Sequence, residues 1–128
     1  MEKKKEINHF RDLLVYQQAF KKANDIFEIT KEFPFEERFS MTDQIRRSSR
    51  SVCSNIAESW RKRNYKKMFI SKLSDSMMEA SETQTWLEFS HHYQYIDKHT
   101  FDQYDNAYEN IIKMLNSMII NADKFCFN

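Results

Sequence analysis

The run Glu88-Phe-Ser-His91 sets a carboxylate and an imidazole three residues apart, a spacing that shares one face of a helix. Helical bundles build di-metal centres from two such E-x-x-H pairs and two further inward glutamates. Those partners are missing. The second literal match, Glu6-Ile-Asn-His9, falls in the N-terminal tail, and Glu58 and Glu109 are not on inward lines of their helices. His91 and His92 are adjacent, so they diverge by about 100° and make no two-histidine clamp. Glu79 and Glu82, at i and i+3, are a carboxylate pair set within an apolar stripe, and ion pairing with arginines is the role expected of them. The sequence contains no glycine, which excludes Walker-type phosphate loops, glycine-dependent dinucleotide fingerprints and glycine-flanked serine elbows. Cys53 and Cys126 lack metal-ligand spacing and are read as reduced packing thiols. The expectation is therefore a non-enzymatic protein with no catalytic residues, no metal and no cofactor.

A different chemistry is suggested by DQIRRSSRSVCSNIAESWRKRNYKK, which begins at Asp43. From residue 46 to 67 there are eight Lys or Arg against Glu58 alone, a local balance of +7. The whole chain carries 20 basic and 19 acidic residues, so the remainder holds 12 against 18, or −6. Such segregation creates a surface that attracts phosphate even when net charge is near zero. Arg61, Lys62, Arg63, Lys66 and Lys67 cluster where one helix should end and the next begin, and they are the nucleic-acid-binding candidates. Arg47 and Arg50 lie opposite the apolar line of their helix. They are assigned instead to an oligomer interface with Glu79, Glu82, Trp86 and Phe89. Lys3, Lys4 and Lys5 form a short basic cluster in the tail, read as solvated.

The elements that must position these residues are helices. One proline (Pro34) and no glycine leave few turns, and 41% hydrophobic with 30% charged residues suits amphipathic helices. The spacing predicts a first helix over residues 10–31, with Leu13, Tyr16, Phe20, Ala23 and Phe27 as its main stripe and Val15, Ala19 and Ile26 roughly opposite. The phenylalanines of FPFEERF should fold back onto the bundle end. Ser40 with Asp43 suggests a cap for a second helix running to residue 62, whose inward line is Ile45, Ser49, Val52, Ile56 and Ser59, with Ser48 beside it. Asn64 is the expected cap of a third helix to residue 93. Its inward face carries Phe69, Leu73, Met77, Ala80, Gln84, Leu87 and His91, and a second stripe carries Met68, Met78, Trp86, Phe89 and Tyr93. Thr100 with Gln103 caps a fourth helix along Phe101, Tyr104, Tyr108, Ile111, Leu115, Met118, Ala122 and Phe125. The expectation is an all-α, antiparallel up-down-up-down four-helix bundle, with residues 1–9 a basic tail and 10–128 one domain. No apolar run reaches the roughly 18 residues of a membrane span and no export signal precedes the bundle, so a cytoplasmic protein with no membrane partner is expected.

Gln44-Ile-Arg-Arg47, Ser51 and Asn55-Ile-Ala-Glu58 together resemble the Q-I-R-R…S…N-I-A-E signature of the four-helix-bundle family of 23S ribosomal RNA intervening-sequence proteins. EASETQTWLEF at 79–89, the opening FRDLLVYQQA, the Phe33-Pro34 link and a last helix with Met114-Leu115 extend the resemblance over roughly residues 10–120. Where the family often has glycine, this chain has Ser59, and Asp75-Ser76 stands where Gly-Ser is common. The resemblance implies a homopentamer. It also implies kinship with the accessory proteins of diversity-generating retroelements, which bind nucleic acid and associate with a reverse transcriptase. It carries no catalytic residues.

Two functional expectations follow. One is an oligomeric module that binds RNA or DNA through its basic surface, with a reverse transcriptase as a further partner if the chain belongs to a retroelement. The alternative is a self-assembling protein–protein interaction scaffold without direct nucleic-acid binding, its arginines neutralised at subunit interfaces.

Overall fold

Short connections between long amphipathic helices set each helix antiparallel to the one before it. That arrangement is found in a computed structural model, which describes residues 6–128; the Lys3-Lys4-Lys5 cluster lies outside the described residues. The helices are α1 (Leu14–Thr30), α2 (Met41–Arg61), α3 (Lys66–His92) and α4 (Lys98–Ile120), followed by the one-turn α5 (Ala122–Phe125). Consecutive helices pack together and α1 closes the bundle against α4. The described residues include no strand.

The α2–α3 seam is built from small polar side chains. Ile45, Val52 and Ile56 of α2 are fully buried, and so are Ser49 and Ser59, with Ser48 almost so. Across the seam, Ser48 Oγ lies 2.8 Å from Thr83 Oγ1, and Ser76 Oγ donates to the Val52 carbonyl at 2.8 Å. Ser90 Oγ reaches Met41 Sδ at 3.5 Å. Small residues let the axes approach, and the hydroxyls of Ser48, Ser49, Ser59, Ser76, Thr83 and Ser90 each have a partner, so their burial leaves them satisfied. On α4, Tyr104, Tyr108, Ile111, Leu115, Met118 and Ala122 are buried as the three-four spacing requires, although Asn121 separates α4 from α5.

Helix α1 departs from its expected orientation. Val15, Ala19, Ile26 and Thr30 face the core, whereas Tyr16, Ala23 and Phe27 are half-buried and Phe20 is 54% exposed. By the 100° step of a helix, the core face is rotated by about a quarter turn from the aromatic stripe. The bundle interior accepts small and β-branched residues at the α1 position. The larger rings lie instead along an open groove of about 390 Å³ between α1 and α2, over Cys53 and Ala57.

The helix ends also differ from expectation. His9 and Asp12 form a capping box around a separate 3-10 turn (Phe10–Asp12), and extended backbone at Leu13 delays α1 to Leu14. Ser40 makes no side-chain cap, and α3 starts at Lys66 behind Tyr65 and not behind Asn64. Asp97, not Thr100, caps α4: its Oδ1 accepts from the Thr100 amide at 2.8 Å. In the FPFEERF link only Phe33 folds inward. Phe35 and Phe39 are 75% and 82% exposed, and the Arg38 guanidinium stacks on both rings at 4.2 and 4.3 Å. Local cation–π stacking there takes the place of burial.

The two ends of the bundle are chemically distinct. One gathers the α1–α2 and α3–α4 links, where Phe33 packs on Tyr95 at 5.3 Å and the Tyr95 hydroxyl donates to Glu37 at 2.9 Å. The other gathers the first 3-10 turn, the α2–α3 junction and α5. The basic residues belong to this second end.

Candidate nucleic-acid interface

The α2–α3 junction turns between Arg61 and Lys66 and projects its cations around one corner. The five predicted residues come together there, but their surroundings separate them. Arg61 is exposed, with Nη2 3.3 Å from His9 Nε2. Lys62 is half-buried beside Phe10, Ala57 and Met68, and Lys67 is exposed. Among the described residues, none of these three forms an ion pair with a carboxylate.

The other two cations are occupied. Arg63 lies with its guanidinium 3.5 Å from the Trp60 ring and 4.6 Å from the Phe127 ring, while its Nε donates to the Trp60 carbonyl at 2.8 Å. Burial lowers its pKa from the ordinary arginine value. Lys66 Nζ pairs with Asp123 at 2.7 Å, and that hydrogen bond raises its pKa. Trp60, Asp123 and Phe127 were missed by sequence reasoning. No local pattern marks Asp123 and Phe127, because the C-terminal turn reaches the corner only through the fold, whereas Trp60 stands three residues before Arg63 and its i, i+3 spacing could have marked it.

The residues expected at an oligomer interface occupy other faces. Arg47 is exposed, and Arg50 is exposed on the α1–α2 groove, 5.8 Å from the Phe27 ring. Their neighbour Arg46 is used internally: Nε donates to Thr30 Oγ1 at 2.8 Å and Nη2 to the Phe27 carbonyl at 3.3 Å, which ties down the end of α1. Glu79 is half-buried and Glu82 exposed, and the described residues include no ion pair between either and an arginine of the same chain. Burial raises the Glu79 pKa, and the nearby Glu82 and Asp75 carboxylates add to that. Trp86 is half-buried against the core, 6.0 Å from the partly exposed Phe89, and Met78 nearby is 69% exposed.

Glu88, His91 and His92 line one open pocket at the end of α3. His91 stacks on Phe101 at 5.2 Å while Glu88 stays exposed, and no group of three His, Cys, Asp or Glu side chains among the described residues is arranged to hold a metal. The Cys53 thiol is pushed up to about 11 by burial, which suits packing and not nucleophilic chemistry. Among the described residues no helix is long and apolar enough to cross a membrane.

The family model described as "23S rRNA-intervening sequence protein" matches residues 11–117, which take in α1, α2, α3 and most of α4. The chain belongs to that family. No curated protein matches it. A solved relative of this 23S rRNA-intervening sequence family member is a protein of unknown function from the S23 ribosomal protein family of Bacteroides thetaiotaomicron VPI-5482, determined at 1.70 Å resolution. The two are 32% identical with a TM-score of 0.75, over 83% of this chain and 95% of that one. The family match ends before Asp123 and Phe127, so the Lys66–Asp123 pair and the Phe127 contact of Arg63 involve residues beyond it, whereas the Trp60 contacts of Arg63 lie within it.

Proposed function

We propose that this family member is a non-enzymatic, cytoplasmic, oligomeric module that binds RNA or DNA by the phosphate backbone, using the α2–α3 corner. The observation that carries this reading is the grouping of Arg61, Lys62 and Lys67 at one end of the bundle, without carboxylate partners among the described residues. Lysine and arginine heads grouped at one corner suit phosphates, and binding through the phosphate backbone is salt-dependent and largely sequence-independent. Repetition of the corner in a homopentamer multiplies a weak contact into a useful one. Fluorescence anisotropy with labelled RNA and DNA tests this. Replacing Arg61, Lys62 and Lys67 together by alanine should reduce the salt slope by about 2 to 3 per protomer engaged, at about 0.7 to 0.9 for each phosphate contact. Absence of binding by the native chain at low salt rejects the reading.

A scaffold reading is favoured by a separate observation. Glu79 and Glu82 on one face, and Arg47 and Arg50 on others, have no ion-pair partners within the described chain, and apolar Met78 and Phe89 accompany the acidic side. Light scattering on Arg47→Glu and Glu79→Arg, alone and combined, separates it from the first. Assembly lost in the single variants and restored in the pair supports intersubunit pairing, and unchanged assembly in both singles removes it.

A further inference from the structure

The C-terminal residues occupy the same corner that the polyanion reading needs. Ala122 is buried and Phe125 stacks on Phe69 at 6.0 Å, so the α5 turn is anchored to the start of α3. From that anchor Asp123 reaches Lys66 at 2.7 Å. Two residues beyond α5, the Phe127 amide donates to the Arg63 carbonyl at 3.1 Å and its ring lies 4.6 Å from the guanidinium that also meets Trp60. A carboxylate and an aromatic ring thus hold two of the five cations, in positions a phosphate would otherwise take.

Resting on the nucleic-acid reading above, we propose that residues 123–128 act as an intramolecular competitor for the polyanion site. Asp123 stands in for a phosphate on Lys66, and Phe127 shields Arg63. The contacts are of a kind that yields. Asp123 and Lys66 are both largely exposed, and an exposed pair contributes little stability. Phe127 is more than half exposed while Arg63 keeps its Trp60 face. Displacement of the Asp123 and Phe127 side chains alone leaves the Phe125–Phe69 anchor in place and adds cations to the corner. The segment sets the affinity of the corner without being part of its phosphate-binding set.

The test is fluorescence anisotropy of the full chain with a labelled single-stranded RNA and a DNA duplex between about 50 and 200 mM salt. Asp123→Ala should bind more tightly, with a slope steeper by about 0.7 on the single strand and 0.9 on the duplex, as expected for one added phosphate contact. Phe127→Ala should also tighten binding. The gain from Asp123→Ala should shrink in a Lys66→Ala background, a coupling that mere loosening of the C terminus would not produce. Asp123→Asn, which keeps the side-chain shape, should reproduce the steeper slope and guards against a folding defect in the alanine variant. If the native chain binds and these variants match it in affinity and slope, the competitor is overturned while the nucleic-acid reading stands. If the native chain does not bind at low salt, the nucleic-acid reading fails and the competitor with it.

Discussion

Ser48 Oγ and Thr83 Oγ1 lie 2.8 Å apart inside the α2–α3 seam, and both side chains are essentially without solvent contact. Thr83 also donates to the Glu79 carbonyl at 2.9 Å, whereas the Ser48 contact to the Ile45 carbonyl is longer, at 3.3 Å. The distances favour Ser48 donating to Thr83 and Thr83 donating onward to its own helix. Together with the Ser76 bond to the Val52 carbonyl, this contact links α2 and α3 across their seam.

Thr83→Val keeps the shape and removes the acceptor, leaving the buried Ser48 hydroxyl with only its longer contact. Stability should fall by about 1 to 2 kcal/mol. Adding Ser48→Ala should recover part of the loss, because removal of both partners costs less than orphaning one. Urea denaturation of the two single variants and the double variant measures the coupling, and strictly additive effects would sink it.

Arg46 joins α2 to the end of α1 through Thr30 and the Phe27 carbonyl, with its guanidinium 4.5 Å from the Phe27 ring. Arg46→Ala should cost about 1 to 2 kcal/mol through the two lost bonds and the stacking. Arg46→Lys should recover little, since an ammonium cannot donate in two directions from one plane. Thermal unfolding of both variants decides the matter, and a lysine variant as stable as the native chain contradicts the geometry.

Asp97 has its pKa held below the usual carboxylate value, chiefly by the hydrogen bond from the Thr100 amide. A lowered folded-state pKa means stability that is present above the unfolded value and lost as pH falls through the folded one. Asp97→Ala should therefore lower the melting temperature at neutral pH, and the difference from the native chain should close below about pH 4. A gap that stays constant down to strongly acidic pH rules out the cap as its source.

Glu79 works with the opposite sign. Burial, with Glu82 and Asp75 nearby, raises its pKa, so the carboxylate lowers stability as pH rises through the folded value. In dilute, unassembled protein Glu79→Gln should be more stable at pH 7 by about 0.5 kcal/mol or less, with the gain vanishing below about pH 4. Under the scaffold reading the same substitution weakens association at high concentration. Melting temperature followed against protein concentration separates the two effects.

Much of the architecture was legible in the residue pattern because helix periodicity is local. The inward line of α2 matches the structure, α4 does so apart from the half-buried Phe101 and Phe125, and α3 apart from Met77, Gln84 and His91, also half-buried. Where two apolar lines share one helix, as in α1, periodicity counts residues and does not weigh their size. The aromatic line therefore looked like the core, and only the space left by α2 and α4 selected Val15, Ala19 and Ile26. Caps were misread for a related reason. Ser40, Asn64 and Thr100 have suitable side chains, but backbone geometry set by the preceding link decides which residue reaches an orphan amide.

By itself the amino-acid sequence determined the class of fold, the core lines of three helices, family membership through the signature from Gln44 to Glu58, and the clustering of basic residues at the α2–α3 junction. The tertiary structure decided which of those cations remain open. Lys66 and Arg63 meet Asp123 and Phe127 only because α4 carries the chain back along the bundle to the corner where α3 begins. Charge and spacing are properties of a segment, whereas pairing and shielding depend on which remote segment the fold brings within a few ångströms.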